Sequence, residues 1–155
     1  MSAYTDALKM LARRELSEAQ IRQRLARRKY SPAEIDAAVA RLQEQRELDD
    51  VRVAESIARA HLARHRGERR LLRHMTQAGI APGMARRVTR EASQSVDVEA
   101  QIEACLARRL RHGTPIADVR QFRRLFRYLI GQGFASDRVL RVLKSRSARQ
   151  DWPDD

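Results

Sequence analysis

The sequence predicts an all-α protein of three tandem three-helix repeats, strung into an elongated or curved array. Three observations carry this. Glycine and proline fall at junctions between periodic segments. The segments themselves are rich in Ala, Leu, Arg, Glu and Gln, with apolar residues three and four apart. The junction "KYSPAEI" at 29–35 returns as "GIAPGMA" at 79–85 and as "GFASDRV" at 133–139. Strand signals are nearly absent.

Taken in order, the first helix runs roughly from Ser2 to Arg14, with Tyr4, Ala7, Leu8 and Leu11 on one stripe. Ser17 opens the second through "SEAQ", a capping-box pattern in which Gln20 reaches back to the Ser17 amide. Ser31-Pro32-Ala33-Glu34 opens the third, with a serine cap, proline at the first helical position and Glu three beyond the cap. Asp49 or Asp50 caps a fourth that reaches about His65, and Gly67 separates it from the fifth. Pro82 and Asp97 begin the sixth and seventh, Thr114-Pro115 the eighth, and Ser136-Asp137 the ninth.

Set side by side, the middle helix of each third repeats its spacing. Ile21, Leu25 and Tyr30 match Leu71, Met75 and Ile80, and these match Leu125, Leu129 and Phe134. The first two positions share a helix face, and the third lies just past the helix end, placed to fold back over the last turn. Gly79 and Gly133 precede the third position, as a left-handed helix stop prefers. Lys29 stands there in the first copy. "RGERRLLRHMTQAGI" from Arg66 also lies over "RQFRRLFRYLIGQGF" from Arg120 at a constant offset of 54. The expected division is residues 1–47, 48–96 and 97–147 as repeats, with 148–155 a flexible tail. A single repeat of this size buries too little surface to stand alone, so neighbours supply the missing contacts.

The chain has 155 residues and a net charge of +12, divided as +3 over residues 1–47, +5 over 48–96 and +4 over 97–155. An evenly basic chain points to a polyanion or an acidic protein surface as partner. Of the 32 basic residues 29 are Arg, which suits bidentate contacts to phosphate or carboxylate; a GC-rich coding bias gives the same composition. A single cysteine, Cys105, rules out an intramolecular disulfide. With neither a membrane-length apolar run nor a signal-peptide stretch at the start, a soluble cytoplasmic protein is expected.

Catalytic chemistry finds no foothold. There is no Gly-rich phosphate loop, no metal-binding Cys pair and no His-Glu-x-x-His. His61 and His65 sit four apart, a spacing that holds zinc in other proteins, yet no third donor is near in sequence. Cys105 follows an apolar pattern with Ile102 and Leu106, as a packed side chain does. No catalytic residue, cofactor or metal is expected, and the protein is read as a non-enzyme.

Four segments carry a family resemblance: "ALKMLARRELSEAQIRQRL" from Ala7, "ELDDVRVAESIA" from Glu47, "RHRGERRLLRHMTQAGI" from Arg64 and "QFRRLFRYLIGQGF" from Gln121. Together they resemble the RecX family, bacterial regulators of the RecA recombinase, over about residues 7 to 143. The family's Ser-x-x-Glu-Leu-x-x-x-Leu start corresponds to Ser17, Gln20, Ile21 and Leu25, with Gln in place of Glu. Its Leu-Asp-Asp is Leu48-Asp49-Asp50, and its Gly-onward run is Gly67, Leu71, Met75, Gly79 and Ile80. The resemblance implies a small, non-enzymatic protein of tandem three-helix repeats, and a monomer is expected. It would bind the RecA–DNA filament along its groove and suppress ATP hydrolysis, strand exchange and co-protease activity.

The candidate contact residues come from helix phase. With Leu71 and Leu125 as the buried direction, and about 100° per residue, Arg66, Arg70 and Arg73 fall on the opposite face. Arg120, Arg124 and Arg127 fall there too, and Arg27 lies near the corresponding place in the first repeat. The plain reading is a solvated basic face; the sharper one is a contact surface for DNA phosphates or acidic RecA surface. The Leu-Asp-Asp at 48–50 reads as a helix cap favoured by the helix dipole. A helix-turn-helix DNA-binding regulator is the competing function, because two short helices joined by a Gly-containing turn recur. Against it, "PGMARRVTREA" offers few base-reading side chains beyond Arg86, Arg87 and Arg90.

Overall fold

The computed structural model describes residues 1–147; the tail assigned to 148–155, Trp152 included, lies outside them. Nine helices occur among the described residues: α1 (Ala3–Arg13), α2 (Glu18–Arg27), α3 (Pro32–Glu44), α4 (Asp50–Ala63), α5 (Glu68–Gln77), α6 (Pro82–Gln94), α7 (Val98–Leu106), α8 (Val119–Gly131) and α9 (Ser136–Ser145). They are packed in three-helix groups, α1 with α2 and α3, and α7 with α8 and α9. By compactness the chain forms two units. Unit one is Met1–Ile57 with His74–Val88, and unit two is Ala58–Arg73 with the described residues from Thr89 onward. The changeovers fall inside α4, α5 and α6.

Local chemistry sets the helix boundaries. Ser2 caps α1, accepting from the Thr5 amide at 3.1 Å. Ser17 and Ser31 both close complete capping boxes, with Gln20 and Glu34 reaching back to the cap amides at 3.0 and 2.7 Å. Asp49 accepts from the Val51 amide at 3.0 Å and so caps α4, whereas Asp50 turns to the Glu18 amide at 2.9 Å. The Leu-Asp-Asp is thus a cap and a tie between α4 and the start of α2.

One helix start differs from the sequence reading. Thr114-Pro115 does not open α8, which begins at Val119 under an Asp118 cap. The stretch before it is extended, because Ile116 is completely buried and its amide donates to the Arg146 carbonyl at 3.0 Å. Arg146 locks this connection through Glu103 at 2.7 Å and the Arg111 carbonyl at 3.3 Å. Burial of one isoleucine therefore delays the helix by a full turn.

The three middle-helix ends share a left-handed stop. Lys29, Gly79 and Gly133 have φ of 70°, 78° and 101°. The amides of Tyr30, Ile80 and Phe134 then donate back to Leu25, Met75 and Leu129 at 3.3, 3.1 and 3.3 Å, closing Schellman loops. Ile80 and Phe134 are buried, and Tyr30 is half-buried. The periodic pairs Ile21/Leu25, Leu71/Met75 and Leu125/Leu129 all point inward.

Two of these stops also serve as joints. In unit one the Ser17 hydroxyl donates to the Ala78 carbonyl, and a methyl added at Gly79 would overlap that of Ala19. In unit two Gly67 N–H donates to the Gln132 carbonyl at 2.8 Å and Arg69 N–H to the Gly133 carbonyl at 3.1 Å. A Cβ at Gly133 would stand 2.5 Å from the Arg70 nitrogen. In each unit, then, the start of one middle helix abuts the end of another with backbones almost touching. The glycines satisfy both the left-handed turn and the close approach.

Candidate polyanion interface

The interface begins where the chain leaves α4. His65 takes φ 55° and stops the helix, so Arg64 and Arg66 emerge on either side of a sharp turn. Gly67 then docks on α8, which fixes where Arg66 and Arg70 stand. Arg70 is half-buried and donates from Nη1 to Gln132 Oε1 at 2.9 Å. Arg108, at the end of α7, donates from Nη2 to the Arg64 carbonyl at 3.0 Å.

The result is a knot of like charge. The Arg66 guanidinium titrates below its ordinary value, first because it is partly desolvated and then because Arg70, Arg64 and Arg108 face it. No carboxylate pairs with these four among the described residues. Such a cluster is stabilised by an anion that brings compensating charge. Arg66 and Arg69 also border an apolar groove of about 420 Å³ with Leu62, Leu72 and Phe134.

The remaining unit-two candidates are placed more simply. Arg73, Arg120, Arg124 and Arg127 are exposed and have no ion pair among the described residues. Arg120, Arg124 and Arg127 stand four and three apart along α8, opposite buried Leu125. The structure thus joins Arg66 and Arg70 into one cluster and leaves Arg120, Arg124 and Arg127 as a separate exposed row. Arg27 belongs to unit one, exposed on the last turn of α2. Sequence reasoning missed Arg64 and Arg108. They are 44 residues apart, and no periodicity relates them.

His61 and Cys105 are built into the interior, and His65 is half-buried. His61 is 2% exposed, and His65 Nδ1 lies 2.8 Å from Gln101 Oε1. Cys105 is fully buried, which raises its thiol pKa, and its Sγ lies 3.6 Å from the Tyr128 hydroxyl. Among the described residues no group of His, Cys, Asp and Glu is arranged to hold a metal ion. Among the described residues no helix is long and apolar enough to cross a membrane.

Residues 3–42, which cover α1, α2 and most of α3, match the RecX first three-helix domain. The regulatory protein RecX of Halorhodospira halophila is 36% identical over 133 residues, covering 86% of this chain and 81% of that protein. The chain belongs to the RecX family. The RecX of Leptothrix cholodnii is 34% identical over 145 residues, or 94% of this chain and 89% of its own. The fold agrees. The crystal structure of RecX from Lactobacillus salivarius superposes with a TM-score of 0.73 at 18% identity, over 92% of this chain and 93% of that one. A second crystal structure, of regulatory protein RecX, gives 0.75 at 21% identity over 92% and 70%. The relatives at this similarity are regulatory proteins by name.

Proposed function

We propose that this RecX-family chain is a non-enzymatic modulator, mainly an inhibitor, of the RecA recombinase. It binds the RecA–DNA filament and suppresses its ATP hydrolysis, strand exchange and co-protease activity. The observation that carries the reading is the unpaired cluster of Arg64, Arg66, Arg70 and Arg108 beside an apolar groove. A nucleoprotein filament offers what such a surface lacks: phosphates or acidic side chains for the guanidinium groups, and protein surface for the groove. Arg73, Arg120, Arg124 and Arg127 extend the same unit's cationic surface, and Arg27 supplies charge from unit one. Residues 1–47, 48–96 and 97–147 act as tandem repeats in a monomer working in the cytoplasm.

The test is RecA-dependent ATP hydrolysis on single-stranded DNA with this protein at substoichiometric amounts. Slowing is expected, and charge reversal at Arg70 and Arg124 should weaken it with helicity unchanged. Hydrolysis at the uninhibited rate would refute the role. Sequence-selective DNA binding without RecA would favour the helix-turn-helix regulator instead.

A further inference from the structure

The basic residues of unit one are unevenly placed. Lys9, Arg13 and Arg14 from the C-terminal half and end of α1 surround one concavity with Arg24, Arg27 and Arg28 from the end of α2. Its volume is about 520 Å³, and buried Met10 and Asp6 contribute to its lining. Cations in the last turn of a helix are favoured by the helix dipole, which accounts for each singly. It does not account for two helix ends converging on one hollow.

Charge bookkeeping inside the hollow is one-sided. Asp6 is the sole carboxylate in its lining, and it is already engaged. It accepts from the Tyr30 hydroxyl at 2.7 Å and pairs with Arg28 Nη1 at 3.0 Å. That leaves Lys9, Arg13, Arg14, Arg24 and Arg27 without a carboxylate among the described residues. Elsewhere in the same unit Arg22 pairs with Glu18 and Asp36, and Arg52 with Glu15, while Arg41, Arg46, Arg86 and Arg87 stand singly and share no hollow with other unpaired cations. Five unmatched cations around one hollow repel each other until an anion enters.

We propose that this hollow binds consecutive phosphates of a nucleic acid backbone, as a site separate from the arginines of α5 and α8. An acidic peptide is the poorer occupant, because protein interfaces draw their affinity from buried aromatic and aliphatic anchors. Methionine is the only large apolar side chain lining the hollow. A phosphodiester strand requires only ordered positive charge, and the guanidinium fork fits its oxygens in pairs. The site goes beyond the filament reading and does not depend on it.

The experiment is fluorescence anisotropy of a labelled oligothymidylate across a salt series, without RecA, using the full chain. Arg13→Gln with Arg24→Gln should weaken binding at low salt at least tenfold. It should also lower the salt slope by about 1.4, two phosphates at about 0.7 each on single strands. Arg13→Lys with Arg24→Lys should keep most of the slope, because charge is retained. Unchanged affinity and slope in the glutamine variant, with native circular dichroism, would overturn the proposal. So would an oligoglutamate peptide that binds the wild type more tightly than the oligothymidylate. The two readings fail separately. If the slope falls while wild-type protein leaves RecA hydrolysis untouched, the hollow stands and the filament role falls.

Discussion

Replacing Gly133 with alanine probes the joint of unit two where backbone meets backbone. The substitution forces an L-residue to φ 101°, which costs about 1–3 kcal/mol. The new methyl would stand 2.5 Å from the Arg70 nitrogen and 2.6 Å from its Cβ, neither of which can swing aside. Such overpacking adds about 1–3 kcal/mol. A stiffer unfolded chain offsets about 0.4–1 kcal/mol. The expected net loss is about 2–5 kcal/mol, a large share of the 5–15 kcal/mol typical of a folded chain. Lys29→Gly is the matched control: the same stop at φ 70°, but at an exposed residue. Relief of left-handed strain of about 1–2 kcal/mol, less glycine's extra unfolded freedom, leaves a gain of roughly 0.5 kcal/mol. Urea unfolding followed by far-UV circular dichroism measures both. A loss below about 1 kcal/mol for Gly133→Ala would show that the joint relaxes freely, and the account of close backbone contact would be wrong.

Ser17→Ala removes a helix cap and strands the buried Ala78 carbonyl, so about 2–3 kcal/mol of stability should go; a loss near that of an exposed cap alone would refute the second role. Asp6 is held below the ordinary carboxyl value, first by the Tyr30 hydroxyl and then by Arg28. Its contribution is therefore complete above the unfolded value of about 3.9 and is lost as pH falls through the folded one. The stability gap between wild type and Asp6→Asn should be constant near neutrality and shrink in acid; a gap independent of pH contradicts the pairing. Cys105, buried with its thiol pKa raised first by desolvation, should resist iodoacetamide in the native protein and react on unfolding. Native-state alkylation at the rate of a free thiol would show that this core opens.

Much of the fold was legible because its causes are local. Ser17-Glu18-Ala19-Gln20 and Ser31-Pro32-Ala33-Glu34 carry their capping boxes within four residues, and both formed. The apolar spacing of Leu71, Met75 and Ile80 marks a helix face and the residue that folds over its end. Thr114-Pro115 misled because the decisive event lies far along the chain: Ile116 is buried and bonded to Arg146, so the segment stays extended.

The candidate surface was legible only in part. Helix phase placed Arg120, Arg124 and Arg127 opposite Leu125, and they are exposed there. The same phase put Arg66 and Arg70 on an outer face, yet both are half-buried. Docking of Gly67 on Gly133 brings them beside Gln132 and Arg108.

The sequence alone determined that this chain is helical, where most helices begin and end, that its middle helices repeat, and that its net charge is strongly positive. Those properties follow from propensity, capping, period and composition, each acting over a few residues or over the chain as a sum. Only the tertiary structure decided which arginines share a neighbourhood. Only it showed that two glycines serve as joints, and that one aspartate lies in a hollow lined by six cations. Contacts across tens of residues depend on the path of the backbone, and a helical period records direction from one axis without saying what stands opposite.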